Sequence, residues 1–166
     1  MEKSRTPLPE SREILDGSGL ERWILLKELG SGTFGTVFCA KDSKGELPEV
    51  AIKVIEKSEM DSNQVSMSSM RLISLGLADT YSAQTSIVLK EVTIMRLLHH
   101  DNIAKFIGFC ESERYYYIVL ELCSGGDIFS QITRLTYFSE DLSRHVIIQV
   151  AKALKYLHDE KGIIHG

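Results

Sequence analysis

Two runs in this chain have residue types suited to chemistry. One is Gly30-Ser31-Gly32-Thr33-Phe34-Gly35 and the other is Val50-Ala51-Ile52-Lys53. Glycine has no side chain to hold the backbone away from an anion, so N–H groups in such a loop can close over phosphate oxygens. An ammonium on a neighbouring element would add a full positive charge to the same oxygens. The glycine spacing alone is weak evidence, because the same letters open a dinucleotide-binding unit, in which a helix starts directly after the third glycine. Here Thr36-Val37-Phe38-Cys39-Ala40 follows, a β-branched, aromatic and small run that suits a strand. The glycines are therefore expected at a hairpin tip, with Lys53 on the next strand.

The elements that must hold these groups can be read on both sides. Residues 23–29 and 35–41 read as hairpin strands, and residues 43–46 as the turn before the lysine strand. Glu91 follows Lys53 by 38 positions. Most of the intervening stretch, residues 56–86, is polar, with serines at 58, 62, 66, 68 and 69, and is expected to be an inserted, poorly ordered loop. Val88, Val92, Met95 and Leu98 then give a helix one apolar face, with Glu91 beside it. On spacing alone its carboxylate is either solvated or ion-paired. Residues 103–110 and 115–120 read as two further strands around a polar turn at 111–114, completing five. A short helix is expected over 127–135. Ser139, followed by Glu140 and Asp141, caps a long helix that ends near Lys161 and Gly162, with Val146, Val150, Leu154 and Leu157 as its stripe. Residues 1–19, with Pro7, Pro9, Gly17 and Gly19, read as a mobile tail. In that tail Thr6-Pro7 is either ordinary tail or a proline-directed phosphorylation site.

Composition narrows the function classes. The 166 residues are 43% hydrophobic and 25% charged, and 19 basic against 23 acidic side chains leave a net charge of −4. Nucleic-acid and anionic-membrane binding are thus not indicated. No apolar run approaches the roughly 18 residues of a membrane span, and residues 1–5 lack the apolar core of a secretory signal. A cytoplasmic location is expected, with the nucleus open. Cys39, Cys110 and Cys123 are odd in number and widely spaced, which suits buried or hinge positions rather than disulfides or zinc. His99 and His100 lack a partner at ligand spacing, so no metal site is expected.

The glycine loop followed by Val50-Ala51-Ile52-Lys53 resembles the start of a eukaryotic protein-kinase domain, and the resemblance continues over residues 23–166. Leu89-Lys90-Glu91-Val92-Thr93-Ile94-Met95 is similar to the helix whose glutamate pairs with that lysine. His99-His100-Asp101-Asn102-Ile103 is similar to the turn behind it, and Tyr117-Ile118-Val119-Leu120-Glu121-Leu122-Cys123 to the strand and hinge that hold adenine. The hinge wording and residues 134–145 resemble the calcium/calmodulin-dependent kinase group, including fungal stress-responsive members activated by MAP kinases. The implied fold is α+β. It has a five-stranded antiparallel sheet with one main helix over residues 20–120, then a hinge and the first helices of an incomplete helical lobe over 121–166.

The resemblance also implies roles. Lys53 would neutralise the α- and β-phosphates of ATP, held by Glu91, as the catalytic pair present here. Gly30, Gly32 and Gly35 would approach the triphosphate, and Phe34 would shield it or simply be an exposed loop aromatic. Val37 and Ala51 would cover the adenine, a role compatible with ordinary strand core. Leu120 would guard the back of the pocket. The Glu121 carbonyl and the Cys123 N–H would bind the adenine edge. Asp127 would accept ribose hydroxyls or cap a helix. Met95, Phe106 and His165 match an internal apolar stack. Ile163-Ile164-His165-Gly166 resembles the opening of the catalytic loop, so the catalytic aspartate and the residues that hold Mg2+ in a complete kinase lie beyond the last residue.

Two functions are expected on this footing. One is the ATP-binding part of a serine/threonine kinase, with phosphoryl transfer to protein substrates confined to the complete enzyme. The other is a non-catalytic nucleotide-binding or interaction fragment. The chain alone is expected to be inactive, and the uncovered long helix to favour self-association or a chaperone.

Overall fold

The computed structural model describes residues 21–32, 35–57 and 80–164, with side chains in the first helix from residue 88 onward. Five strands form one antiparallel sheet: β1 (Trp23–Gly32), β2 (Gly35–Asp42), β3 (Val50–Glu56), β4 (Phe106–Glu111) and β5 (Tyr115–Glu121), in the order β1-β2-β3-β5-β4. This is the five-stranded antiparallel sheet expected from the sequence, with ends shifted. β1 runs on through Gly32, which pairs with Gly35. β4 begins at Phe106 rather than at residue 103, because Ile103 N–H is taken by the His100 carbonyl in a turn.

Residues directly opposite in an antiparallel pair share a face, and β3 shows how the two faces divide. Val50, Ile52 and Val54 lie on one face with Phe38, Ala40, Tyr117, Val119 and Trp23, all buried. Ala51, Lys53 and Ile55 lie on the other. There Ile55, Tyr116 and Ile118 pack with Val88 and Val92 of α1 (Thr80–Arg96), and Met95, Phe106, Phe109 and Leu120 fill the edges. Val88 and Val92, one turn apart, are both 2% exposed, which fixes the side of α1 that meets the sheet. The helix therefore docks on the face that carries Lys53.

Two readings of the α1 region change. The helix begins at Thr80, inside the stretch expected to be an inserted loop, while residues 58–79 lie outside the described residues. Leu98 falls beyond the helix end at Arg96. The expected tail over residues 1–19, with Thr6-Pro7, also lies outside the described residues.

The β2–β3 turn has an organiser that pattern reading does not show. Asp42 is 5% exposed and accepts from Arg22 Nε at 3.1 Å and Nη2 at 2.8 Å, and from the N–H groups of Lys44, Glu46 and Leu47 at 3.0 to 3.1 Å. The Arg22 hydrogen bond, aided by these backbone donors, holds its carboxyl well below the usual carboxylate range against the opposing effect of burial.

Residues 97–105 and 123–164 form a second compact unit. It contains α2 (Ile128–Leu135), α3 (Glu140–Lys155) and a π-turn over Tyr156–Glu160. Ser139 Oγ accepts from Leu142 N–H, the N-cap expected from its hydroxyl and the two acids that follow. Tyr156 ties the segment to the helix: its hydroxyl accepts from His99 N–H at 2.9 Å and its ring lies 5.1 Å from that of His100. Asn102 Nδ2 donates to Gln149 Oε1 at 2.9 Å. The expected apolar stripe of α3 divides: Leu157 is buried within the π-turn, whereas Val150 and Leu154 are exposed together with Ile147 and Ile148.

Candidate functional site

Lys53 sits mid-strand in β3, opposite Val37 of β2 and Ile118 of β5. Its stem rises from the α1-covered face, where Ile118 is fully buried, and the ammonium reaches past the apolar floor toward the helix. Lys53 Nζ lies 3.3 Å from Glu91 Oε1, with side chains 21% and 40% exposed. The same helix rotation that buries Val88 and Val92 places Glu91 here, one residue before Val92. An ion pair this accessible contributes only about 0 to 1 kcal/mol to stability, so its effect is on where the ammonium points.

The neighbouring side chains follow from register. Val37 opposes Lys53, and Ala51 lies between Cys39 and Leu120. Val37, Ala51 and Leu120 thus line the Lys53 face, all half-buried. Glu121 ends β5, opposite Val50, and is exposed. Met95 and Phe106 both pack against the α1–sheet core. Phe34 and His165 lie outside the described residues.

The three glycines occupy the β1–β2 hairpin end, with Gly30 opposite Val37 and Gly32 opposite Gly35. They are not equivalent. A Cβ at Gly30 or Gly32 would meet nothing within 4 Å, whereas Gly35 has φ of 108° and presses on the backbone of β3.

Cys123 and Asp127 belong to the second unit. Cys123 is exposed and free. Asp127 is the N-cap of α2: Oδ1 accepts from Ser130 N–H at 2.8 Å and Oδ2 from Ser130 Oγ at 2.6 Å. These bonds, led by the Ser130 hydroxyl, lower its carboxyl below the usual range.

The sheet thus presents a cation held by a carboxylate, beside an open glycine hairpin and above small apolar side chains. That arrangement can bind phosphate oxygens while an apolar ring lies on Val37 and Ala51. Sequence reasoning did not identify Ile118 as the floor beneath Lys53, nor the different setting of Gly35. An alternating run such as Tyr116-Ile118-Leu120 could have signalled the first; nothing in the letters signals the second. Among the described residues no group of three or more His, Cys, Asp or Glu could hold a metal ion, so no residue here is assigned to Mg2+.

A family model described as protein kinase domain matches residues 23–166. The chain is 43% identical over 148 residues to serine/threonine-protein kinase srk1 of Schizosaccharomyces pombe, covering 89% of the chain and 23% of that protein. It is 40% identical over 156 residues to the calcium/calmodulin-dependent protein kinase type II of the same yeast, covering 94% and 27%. With serine/threonine-protein kinase RCK2 of Saccharomyces cerevisiae it shares 39% identity over 168 residues, covering 95% and 27%. The chain spans about a quarter of the length of these curated relatives.

Proposed function

From the premise that the chain belongs to the protein kinase domain family, with serine/threonine kinases as its relatives, we propose that its five-stranded unit is an ATP-binding half-site. In this reading Lys53 neutralises α- and β-phosphate oxygens, Glu91 keeps the ammonium over them, and the N–H groups around Gly30 and Gly32 close from above. Val37 and Ala51 cover the adenine ring, and Leu120 bounds the space behind it. The Glu121 carbonyl binds the adenine edge through the backbone, which leaves its side chain free to vary. Asp127, in the second unit, acts as the N-cap of α2.

The observation that carries this reading is the 3.3 Å approach of Lys53 and Glu91, 38 residues apart in sequence. Transfer of the ATP γ-phosphate to protein serine or threonine hydroxyls, with its Mg2+ chemistry, is proposed for the protein as a whole, and no step of it is assigned to residues here. The exposed Ile147, Ile148 and Val150 of α3 are the surface through which self-association or chaperone binding would run.

The test is calorimetric titration of the chain with ATP and with adenosine. A charge-assisted contact contributes about 1.5 to 3 kcal/mol, so Lys53→Met should weaken ATP binding by roughly ten- to a hundredfold and leave adenosine unchanged. Equal losses for both ligands would place Lys53 outside the phosphate site.

A further inference from the structure

Three glycines read alike in the sequence stand in two different environments. At Gly30 and Gly32 a methyl group would enter open space. At Gly35 a Cβ would collide with the Val54 carbonyl oxygen and lie 3.1 Å from the Val54 carbonyl carbon and 3.2 Å from Ile55 Cα. All three are backbone atoms of β3, so no rotamer change relieves the contact. Its φ of 108° adds a second bar, since L side chains rarely adopt that backbone conformation. The neighbouring pairs show what this contact controls: Thr36 opposes Val54, and Val37 opposes Lys53.

We propose that Gly35 is a positioning residue for Lys53: its missing side chain seats the start of β2 directly on Val54 of β3, and that seat holds Val37 opposite Lys53. Of the three glycines, Gly30 and Gly32 leave the backbone open to phosphate, while Gly35 acts through the lysine. The part concerning nucleotide rests on the ATP-site reading; the seating of β2 on β3 does not.

The test uses the 166-residue chain and three variants, Gly30→Ala, Gly32→Ala and Gly35→Ala. Without nucleotide, Gly35→Ala should speed amide hydrogen exchange at Thr36, Val37, Lys53 and Val54 by about tenfold or more, equivalent to about 1.4 kcal/mol of local opening, with the other two variants unchanged. Equal exchange in all three would overturn the proposal. A merely structural role would weaken ATP binding whether or not Lys53 is present. The positioning role instead makes Gly35→Ala cost about tenfold in the ATP-to-adenosine affinity ratio in the parent chain and nothing in a Lys53→Met background. A cost that persists undiminished without the ammonium would refute it. If the parent chain binds no ATP, the ATP-site reading fails and the exchange experiment alone decides the seat. If Gly35→Ala does not fold, the chain carrying Gly35→D-Ala, whose methyl takes the other hydrogen's place, should fold with parental exchange at those four amides. A Gly35→D-Ala chain that also fails to fold, or exchanges fast there, would exclude the seat.

Discussion

Replacing Glu91 by alanine separates the positioning of Lys53 from the stability of the sheet. At 3.3 Å, two unit charges attract by about 5 kcal/mol at an effective dielectric of about 20 and about 1.3 kcal/mol at about 80. With Glu91 40% exposed and Lys53 21% exposed, the pair sits toward the screened end, and the cost of ordering two long side chains offsets much of what remains. The net contribution is about 0 to 1 kcal/mol, as for other exposed pairs. Glu91→Ala should therefore lower the melting temperature by no more than a few degrees, and high salt should shrink even that difference. ATP affinity should fall more visibly, by about three- to tenfold, because without the Glu91 carboxylate the ammonium is directed less closely at the phosphates, while adenosine affinity stays constant. The assay is a thermal melt at low and high salt, paired with calorimetry for both ligands. A stability loss of about 3 kcal/mol or more, of the size seen for broken buried pairs, would show that Glu91 supports the core instead. Unchanged ATP binding, alongside a large loss for Lys53→Met, would show that the carboxylate does not steer the lysine.

Asp42→Asn should lower the melting temperature at neutral pH, because the amide cannot match the charge of Arg22 or accept all the bonds the carboxylate takes. Since folding depresses the Asp42 carboxyl, its contribution is fully present above the unfolded value of about 4 and is lost as pH falls below it, so the parent and Asp42→Asn melting curves should converge in acid. A constant gap across that range would assign the effect to packing. Tyr156→Phe removes the acceptor for His99 N–H and should cost about 1 to 3 kcal/mol, read as faster exchange across residues 97–105 with β3 and β5 unchanged.

Much of the fold was legible in the letters, because local physics sets it. Runs of β-branched, aromatic and small residues marked strands, Ser139 with its acids marked a helix start, and Val88 and Val92 one turn apart marked a buried face. The errors fell where local signals are weak. The start of α1 at Thr80 lies inside a serine-rich stretch that was read as one loop, and the stripe of α3 was read as one surface although the π-turn buries Leu157 and leaves Val150 and Leu154 outside. Asp42 looked like any acid before a turn. Its role depends on Arg22, twenty residues away, which only the pairing of β1 with β2 brings within reach.

The same division runs through the candidate site. The sequence by itself determined which groups are available, a glycine hairpin, an ammonium on a strand and a carboxylate on a helix, because residue type and local periodicity dictate those directly. Whether Glu91 was solvated or paired was left open by spacing, and the tertiary structure decided it: the rotation of α1 that buries Val88 and Val92 against Tyr116 and Ile118 also turns Glu91 toward Lys53. Likewise, only strand pairing distinguishes Gly35 from Gly30 and Gly32. A missing side chain has the same letter everywhere, and what it makes room for is set by the backbone lying across from it.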